Sequence, residues 1–236
     1  MPHIVTQFDI HILVWLNNQF GSSPMALLIS ELITENNFIR GFLLFGPFIA
    51  LWLQRPDLKR HSEMTAGLLA VFIAVGLSFW LQHKFFVHTR PFLDSALHLH
   101  NVSPASTMTW HRQSSFPSDT ACLFFGIAAI VYGQNRALGL LTFAWTGLVA
   151  VLRIAQGWHY PSDNVGAFVL AVSLVSVFSN SATLCRVFHW LMRSMRRQVY
   201  LFDALVFLIL ADAYSLFPGL QDIVETVVHK LHHAVV

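Results

Sequence analysis

Apolar residues along this chain fall in long runs, not in the alternation of a strand or the narrow stripe of a surface helix. The clear runs cover 38–54, 64–83, 118–133, 137–156, 163–182 and 200–217, with short polar breaks between them. Most approach the ~20 residues that a helix needs to cross a bilayer core. A helix satisfies its own backbone there, so it is the default spanning element. The pattern predicts an all-α, polytopic membrane bundle of about six transmembrane helices plus interfacial helices. Residues 4–20 mix polar and apolar positions and predict an interfacial or poorly inserted first helix, and residues 24–34 are apolar but stop at TENN. The tail, 219–236, has apolar residues at helical spacing without spanning length and predicts a surface helix that includes the HKLHH run at 229–233. The whole of 1–236 reads as one membrane-embedded domain.

Composition sharpens this picture. Hydrophobic residues make up 55% of the 236 and charged residues only 11%, against about 25% charged in a soluble domain. A net charge of +2 gives no reason to expect a nucleic-acid partner; membrane lipids are the expected surroundings. The oligomeric state is left open. Residues 1–12 show no basic stretch followed by an apolar core and cleavage site, so no cleaved signal is expected. Cys122 and Cys185 fall near opposite ends of their runs, and no disulfide is expected.

Charge position sets the orientation. Arg55, Lys59 and Arg60, then Arg136, then Arg186, Arg193, Arg196 and Arg197 occupy three loops that fall on one side when the spans are counted. By the positive-inside rule that side is cytoplasmic. The long loop 84–117 and the stretch 157–162 then share the outer side.

Three polar pieces converge there: HKFFVHTRP (83–91), SSFPSDTA (114–121) and RIAQGWHYPSD (153–163). In the third, Gly157 loosens a helix end, Pro161 disfavours helix at Tyr160, and Ser162 suits a helix cap. His159 therefore sits in a tight turn with Asp163 four residues on, close enough to fix one ring nitrogen and leave the other as a nucleophile. A plain polar connector at headgroup level is the alternative for this piece alone. In the second, Pro117 suits a first helical turn, and the N–H groups of 118–120 with the Ser118 and Thr120 hydroxyls offer an anion site; an ordinary N-cap is the alternative. The first adds Arg90, suited to bidentate phosphate binding, with Lys84 and His83 as further candidates or as interfacial anchors. Two arginines, a helix N-terminus and an Asp-oriented His make a phosphoryl-transfer site that requires no metal and no cofactor. His98 and His100 lack a matching acidic cluster, so no metal is expected there either.

These three pieces resemble the signatures of the type-2 phosphatidic-acid phosphatase superfamily, membrane branch: Lys-x6-Arg-Pro, Pro-Ser-Gly-His and Ser-Arg-x5-His-x3-Asp. The FPSD form and the polar break before the first span look most like the bacterial undecaprenyl-diphosphate phosphatases. The resemblance implies that His159 is the nucleophile and forms a phosphohistidine, that Asp163 orients it, and that Arg90, Arg153 and Ser118 hold phosphate. Asp119, Lys84 and His83 are further expected phosphate-binding candidates. Three departures stand out. Leu152 replaces the Ser before Arg153; Lys84 stands six residues before Arg90 and His83 seven; Thr120 stands where the family has its second His. That His protonates the leaving oxygen, which Thr cannot do near neutral pH. A diphosphate needs the proton far less than a monoester, so the expected substrate is a lipid diphosphate, undecaprenyl diphosphate first. His88, His98, His100 or His111 of the outer loop are alternative acids. Transfer of the phosphoryl group to another acceptor, or a catalytically impaired lipid-diphosphate binder, are the other readings. The expected location is the bacterial inner membrane, with the site facing the periplasm or outer side.

Overall fold

The computed structural model describes residues 6–21, 23–54, 57–84, 88–100, 114–194 and seven positions between 203 and 211. Among the described residues every regular element is helical: α1 (Gln7–Gly21), α2 (Pro24–Glu35), α3 (Asn37–Leu53), α4 (Leu58–Lys84), α5 (Asp119–Gln134), α6 (Arg136–Ala155), α7 (Pro161–Ser179) and α8 (Ala182–Ser194), with two 3₁₀ turns at Pro91–Leu93 and Ser95–Leu97. The contacts divide the chain into two compact units, Met1–Trp190 and Leu191–Val236. The site described below lies wholly in the first. The expected span 200–217 lies mostly outside the described residues, and the tail with its HKLHH run and His111 lie entirely outside them.

Helices α4, α6 and α7 are long and apolar enough to cross a membrane, and α2 with α3 adds a fourth if the pair, bent by 46°, counts as one broken span. The expected count of six is not reached among the described residues. Asn36 explains the break: its extended backbone (ψ 108°) ends α2 while its side chain caps α3 by accepting from the Ile39 N–H at 3.1 Å. Ending α2 orphans its last carbonyls, and Arg40 Nη1 donates to the Thr34 carbonyl at 2.9 Å.

Helix α5 has 16 residues, about 24 Å of helix, short of a bilayer core. It does not face lipid all round. It packs against α3, α4, α6 and α7 and is buried along most of its length. Close approach to α4 rests on two glycines. A Cβ on Gly126 would meet Val71 Cγ2 at 2.6 Å, and one on Gly67 would meet Ile130 Cγ1 at 2.7 Å. Small residues at such crossings let helices pack where lipid removes the hydrophobic drive between them.

The core is apolar, and the surface is apolar as well, unlike that of a soluble domain. Ser62, Ser78, Thr142 and Thr146 are buried, whereas Leu140, Leu141, Leu148, Val165, Val169 and Val177 are exposed. An apolar solvent explains both halves of that arrangement.

Helix α1, at 15 residues, is too short to span. It lies against the ends of α6 and α7. Leu13 and Leu16 pack with Ile154, Ala155 and Tyr160, Asn17 Nδ2 donates to the Ala155 carbonyl at 2.8 Å, and Asp9 Oδ1 accepts from the Ser162 N–H at 3.0 Å. It therefore satisfies two backbone groups that the ends of α6 and α7 leave open.

Candidate active site

Hydrogen bonds build the loop that enters α5. Ser114 Oγ accepts from the N–H groups of His88 (3.1 Å) and Phe116 (3.2 Å). The Ser115 N–H donates to the His88 carbonyl at 3.1 Å. The Pro117 carbonyl accepts from Gln82 Nε2 at 2.7 Å and from Ser78 Oγ at 2.8 Å, so α4 holds the loop from one side. Pro117 does not open the helix, as its sequence position suggested; it precedes the cap, Ser118, whose Oγ accepts from the Ala121 N–H at 3.3 Å. The Ser118 N–H donates to the Asp163 carbonyl at 3.3 Å. Of the three N–H groups expected to be open to an anion, those of Asp119 and Thr120 stay unbonded among the described residues.

The turn between α6 and α7 carries His159, the expected nucleophile. The N–H groups of Gln156, Gly157 and Trp158 close the end of α6 on the carbonyls of Leu152, Ile154 and Arg153. Gly157 then takes φ +78°, and a Cβ there would lie 2.9 Å from Leu99 Cδ1. Only glycine enters this conformation without strain. Helix α7 starts at Pro161 with Tyr160 as its cap, two residues earlier than the expected Ser162 cap. The cap forms early because Asp163, at the third helical position, accepts from the Tyr160 N–H at 2.8 Å, the carboxylate half of a capping box.

His159 is fully buried. Its Nδ1 faces the Ser115 carbonyl at 3.2 Å, and its Nε2 faces Ser118 Oγ at 3.2 Å. A carbonyl only accepts, so Nδ1 carries the proton and Nε2 presents its lone pair, receiving the Ser118 hydroxyl. Asp163 Oδ2 lies 3.6 Å from Nδ1, beyond hydrogen-bond length. The direct orienter of the ring is thus a backbone carbonyl, with the expected carboxylate just behind it. Asp163 Oδ1 instead binds His88 Nδ1 at 3.0 Å.

Burial pushes the His159 imidazole below its ordinary pKa; Asp163 opposes the shift, and the charges of Arg90 and Arg153 add to it. The ring is neutral at neutral pH, as a nucleophile must be. Arg90 and Arg153 are both buried. Burial lowers the Arg90 pKa, Asp119 opposes the shift and Arg153 adds to it, but a guanidinium stays charged. Arg153 also lies 5.3 Å over the Trp158 ring, and its Nε has no hydrogen-bond partner. Two guanidinium groups, a bare ring nitrogen, a hydroxyl and two N–H groups make a buried cluster suited to a phosphate.

The structure brings together His159, Asp163, Ser118, Arg90 and Arg153, with Thr120 buried and Asp119 part-exposed in the first turn of α5. Lys84 and His83 are exposed at the end of α4. His83 Nδ1 binds the Phe79 carbonyl of its own helix at 2.8 Å, and among the described residues no hydrogen bond or ion pair joins Lys84 to the cluster. His100 pairs with Asn17 through its backbone, and no group of three or more metal-binding side chains occurs among the described residues. Sequence reasoning missed Ser115 and the roles of Gln82, Asp9 and His88, since a backbone carbonyl and a long-range partner leave no spacing to read.

The family model described as the PAP2 superfamily matches residues 63–186, just over half of the chain, and encloses all three polar pieces. The chain belongs to the PAP2 superfamily. Two relatives sharpen the placement. The undecaprenyl-diphosphatase BcrC of Bacillus subtilis (strain 168) is 27% identical over 141 residues, covering 59% of this chain and 68% of the relative. The bacitracin transport permease protein BcrC of Bacillus licheniformis is 26% identical over 157 residues, covering 66% and 70%. No solved structure matches the chain. With its apolar helices, the chain is a multi-pass membrane member of the PAP2 superfamily.

Proposed function

We propose that this PAP2 protein is a lipid-diphosphate phosphatase that removes the terminal phosphate of undecaprenyl or a similar polyprenyl diphosphate. One observation carries the reading: a buried neutral His159 whose Nε2 lone pair faces Ser118, beside Arg90 and Arg153. The likeness to the Bacillus subtilis undecaprenyl-diphosphatase supports the substrate class.

In this mechanism the terminal phosphate takes the place that Ser118 Oγ now faces. Ser118, the Asp119 and Thr120 N–H groups and the two arginines hold its oxygens. His159 Nε2 attacks phosphorus; the N–P bond forms, and the bond to the bridging oxygen breaks. The lipid monophosphate departs with the electron pair. Water then attacks the phosphohistidine, loses a proton and releases inorganic phosphate, restoring the ring. Arg60 near the start of α4 and Arg136 at the start of α6 lie at the helix ends opposite those that carry the site, which favours a site that opens to the outer face of the inner membrane.

The decisive experiment measures phosphate release from undecaprenyl diphosphate by the purified protein in detergent, beside His159→Ala. Release that disappears in the variant is the expected result; full release in the variant refutes the mechanism. Thr120 favours a second reading, a binder with impaired turnover. Tight lipid-diphosphate binding without release, cured by Thr120→His, would select that reading. Release only on addition of a hydroxyl acceptor would make the protein a phosphotransferase.

A further inference from the structure

His88 sits two residues before Arg90, and its sequence position singles it out only as one of several loop histidines that could supply an acid. In the fold it is 4% exposed. Its Nδ1 lies 3.0 Å from Asp163 Oδ1. Its ring is edge-on to Phe116 at 5.8 Å and to Tyr160 at 5.7 Å between centroids. Its Nε2 is buried with no hydrogen-bond partner.

These contacts fix the ring's state. An Nδ1–H donates to the carboxylate, whereas a bare Nδ1 would set a lone pair against it. The other tautomer, or the cation, would also bury an Nε2–H with no acceptor among the described residues, which is destabilising. This geometry favours the Nδ1–H tautomer of His88 with a bare Nε2. It has no proton on Nε2 to give, and its donating nitrogen is committed to Asp163, on the far side of that carboxylate from His159.

Given the proposed phosphatase chemistry, we infer that His88 is a positioning residue: its Nδ1–H clamps Asp163 Oδ1, so that Oδ2 is held against the Tyr160 N–H and next to His159 Nδ1. The carboxylate is then pinned at both oxygens, by Tyr160 at 2.8 Å and by His88 at 3.0 Å. It cannot rotate away when His159 gains positive charge as a phosphohistidine. The donated bond also lowers the carboxylate's basicity, which keeps the Nδ1 proton on His159 and the lone pair on Nε2. His88 acts on the reaction through Asp163 and touches no phosphate.

The test compares His88→Ala and His88→Asn in the full chain, because the Asn amide nitrogen can occupy the place of His Nδ1 while carrying no titratable proton. With undecaprenyl diphosphate, His88→Ala should lose kcat by roughly 10–100-fold, the usual cost of removing a partner that orients a reactive group, with KM nearly unchanged. His88→Asn should recover most of that loss. Equal activity in the wild type and His88→Ala overturns the inference. So does an Asn variant as impaired as the Ala variant while equally folded, since that result would make His88 a proton donor. If the wild type itself releases no phosphate, the proposed function fails on its own. The clamp is then judged by ¹⁵N NMR of histidine-labelled protein: a protonated Nδ1 and bare Nε2 at His88 supports it, and an Nε2–H or cationic ring overturns it.

Discussion

Replacing Thr120 by His should change which esters the protein can cleave more than how fast it cleaves diphosphates. Thr120 is the second residue of α5 and 2% exposed; its own N–H is one of the two open ones, and it lies two residues from Ser118. In the proposed mechanism a His there would regain the role of the family's second His, protonation of the leaving oxygen. A positioned general acid contributes ~10²–10⁴-fold, or about 3–5 kcal/mol of barrier. How much of that is realised depends on the leaving group. A phosphate monoester leaves as a group whose second pKa is about 6, so near neutral pH it departs without help. An alkoxide has a basicity close to that of hydroxide, whose conjugate acid has pKa ~15.7, and needs the proton in full. Thr120→His should therefore raise kcat/KM for phosphatidic acid by ~10²-fold or more and for undecaprenyl diphosphate by less than about tenfold. The larger side chain enters a packed layer, where overpacking costs typically ~1–3 kcal/mol of stability, so thermal unfolding in detergent should be followed beside the rates. Equal gains on both substrates would refute the leaving-group reasoning, as would a wild type that turns over phosphatidic acid as well as the diphosphate.

Two other predictions test the turn and the ring. Gly157→Ala places a Cβ 2.9 Å from Leu99 at φ +78° and should cost ~1–3 kcal/mol; a lower Tm with much reduced phosphate release is expected, and an unchanged Tm would show that the turn relaxes freely. For His159 the folded pKa lies below the ordinary value. The acid limb of kcat/KM should therefore fall below about pH 6.5, the ordinary value for His, and should move up if Arg90 is neutralised by Arg90→Gln. Below that pH the unfolded chain takes up a proton that the folded chain resists, so this group's contribution to stability is present above pH ~6.5 and is lost as pH falls. A pH–rate profile with its acid limb at or above 6.5 would contradict a buried neutral nucleophile.

The legible parts of this protein are those set by local rules. Span length follows from bilayer thickness, which is why the runs at 38–54, 64–83, 137–156 and 163–182 emerge as α3, α4, α6 and α7 within a few residues. The His159–Asp163 relation follows from one turn of chain. What escaped reading joins distant segments: the Ser115 carbonyl and His159 are 44 residues apart, His88 and Asp163 are 75, and Asp9 and Ser162 are 153. Helix α1 shows the limit most plainly. Its mixed composition reads as an interfacial or poorly inserted helix, yet two of its polar residues, Asp9 and Asn17, meet the open ends of α7 and α6. A polar residue in an apolar chain marks an unsatisfied partner elsewhere, and its own neighbours do not reveal where.

The same long-range contacts explain why the nucleophile rests on a carbonyl and not on its carboxylate. A direct charge-assisted bond from Asp163 to Nδ1 would be about twice as strong as a neutral one. Already in the resting ring it would favour the cation and work against a bare Nε2. The Ser115 carbonyl fixes the tautomer at 3.2 Å without adding charge. Asp163 waits at 3.6 Å, roughly 0.8 Å beyond a charge-assisted bond. In the proposed mechanism its stabilisation grows as His159 gains positive charge during attack, and only that gain lowers the barrier. An acceptor that gains most after the charge appears serves catalysis better than one fully engaged before it, and the clamps on Asp163 keep that reserve in place.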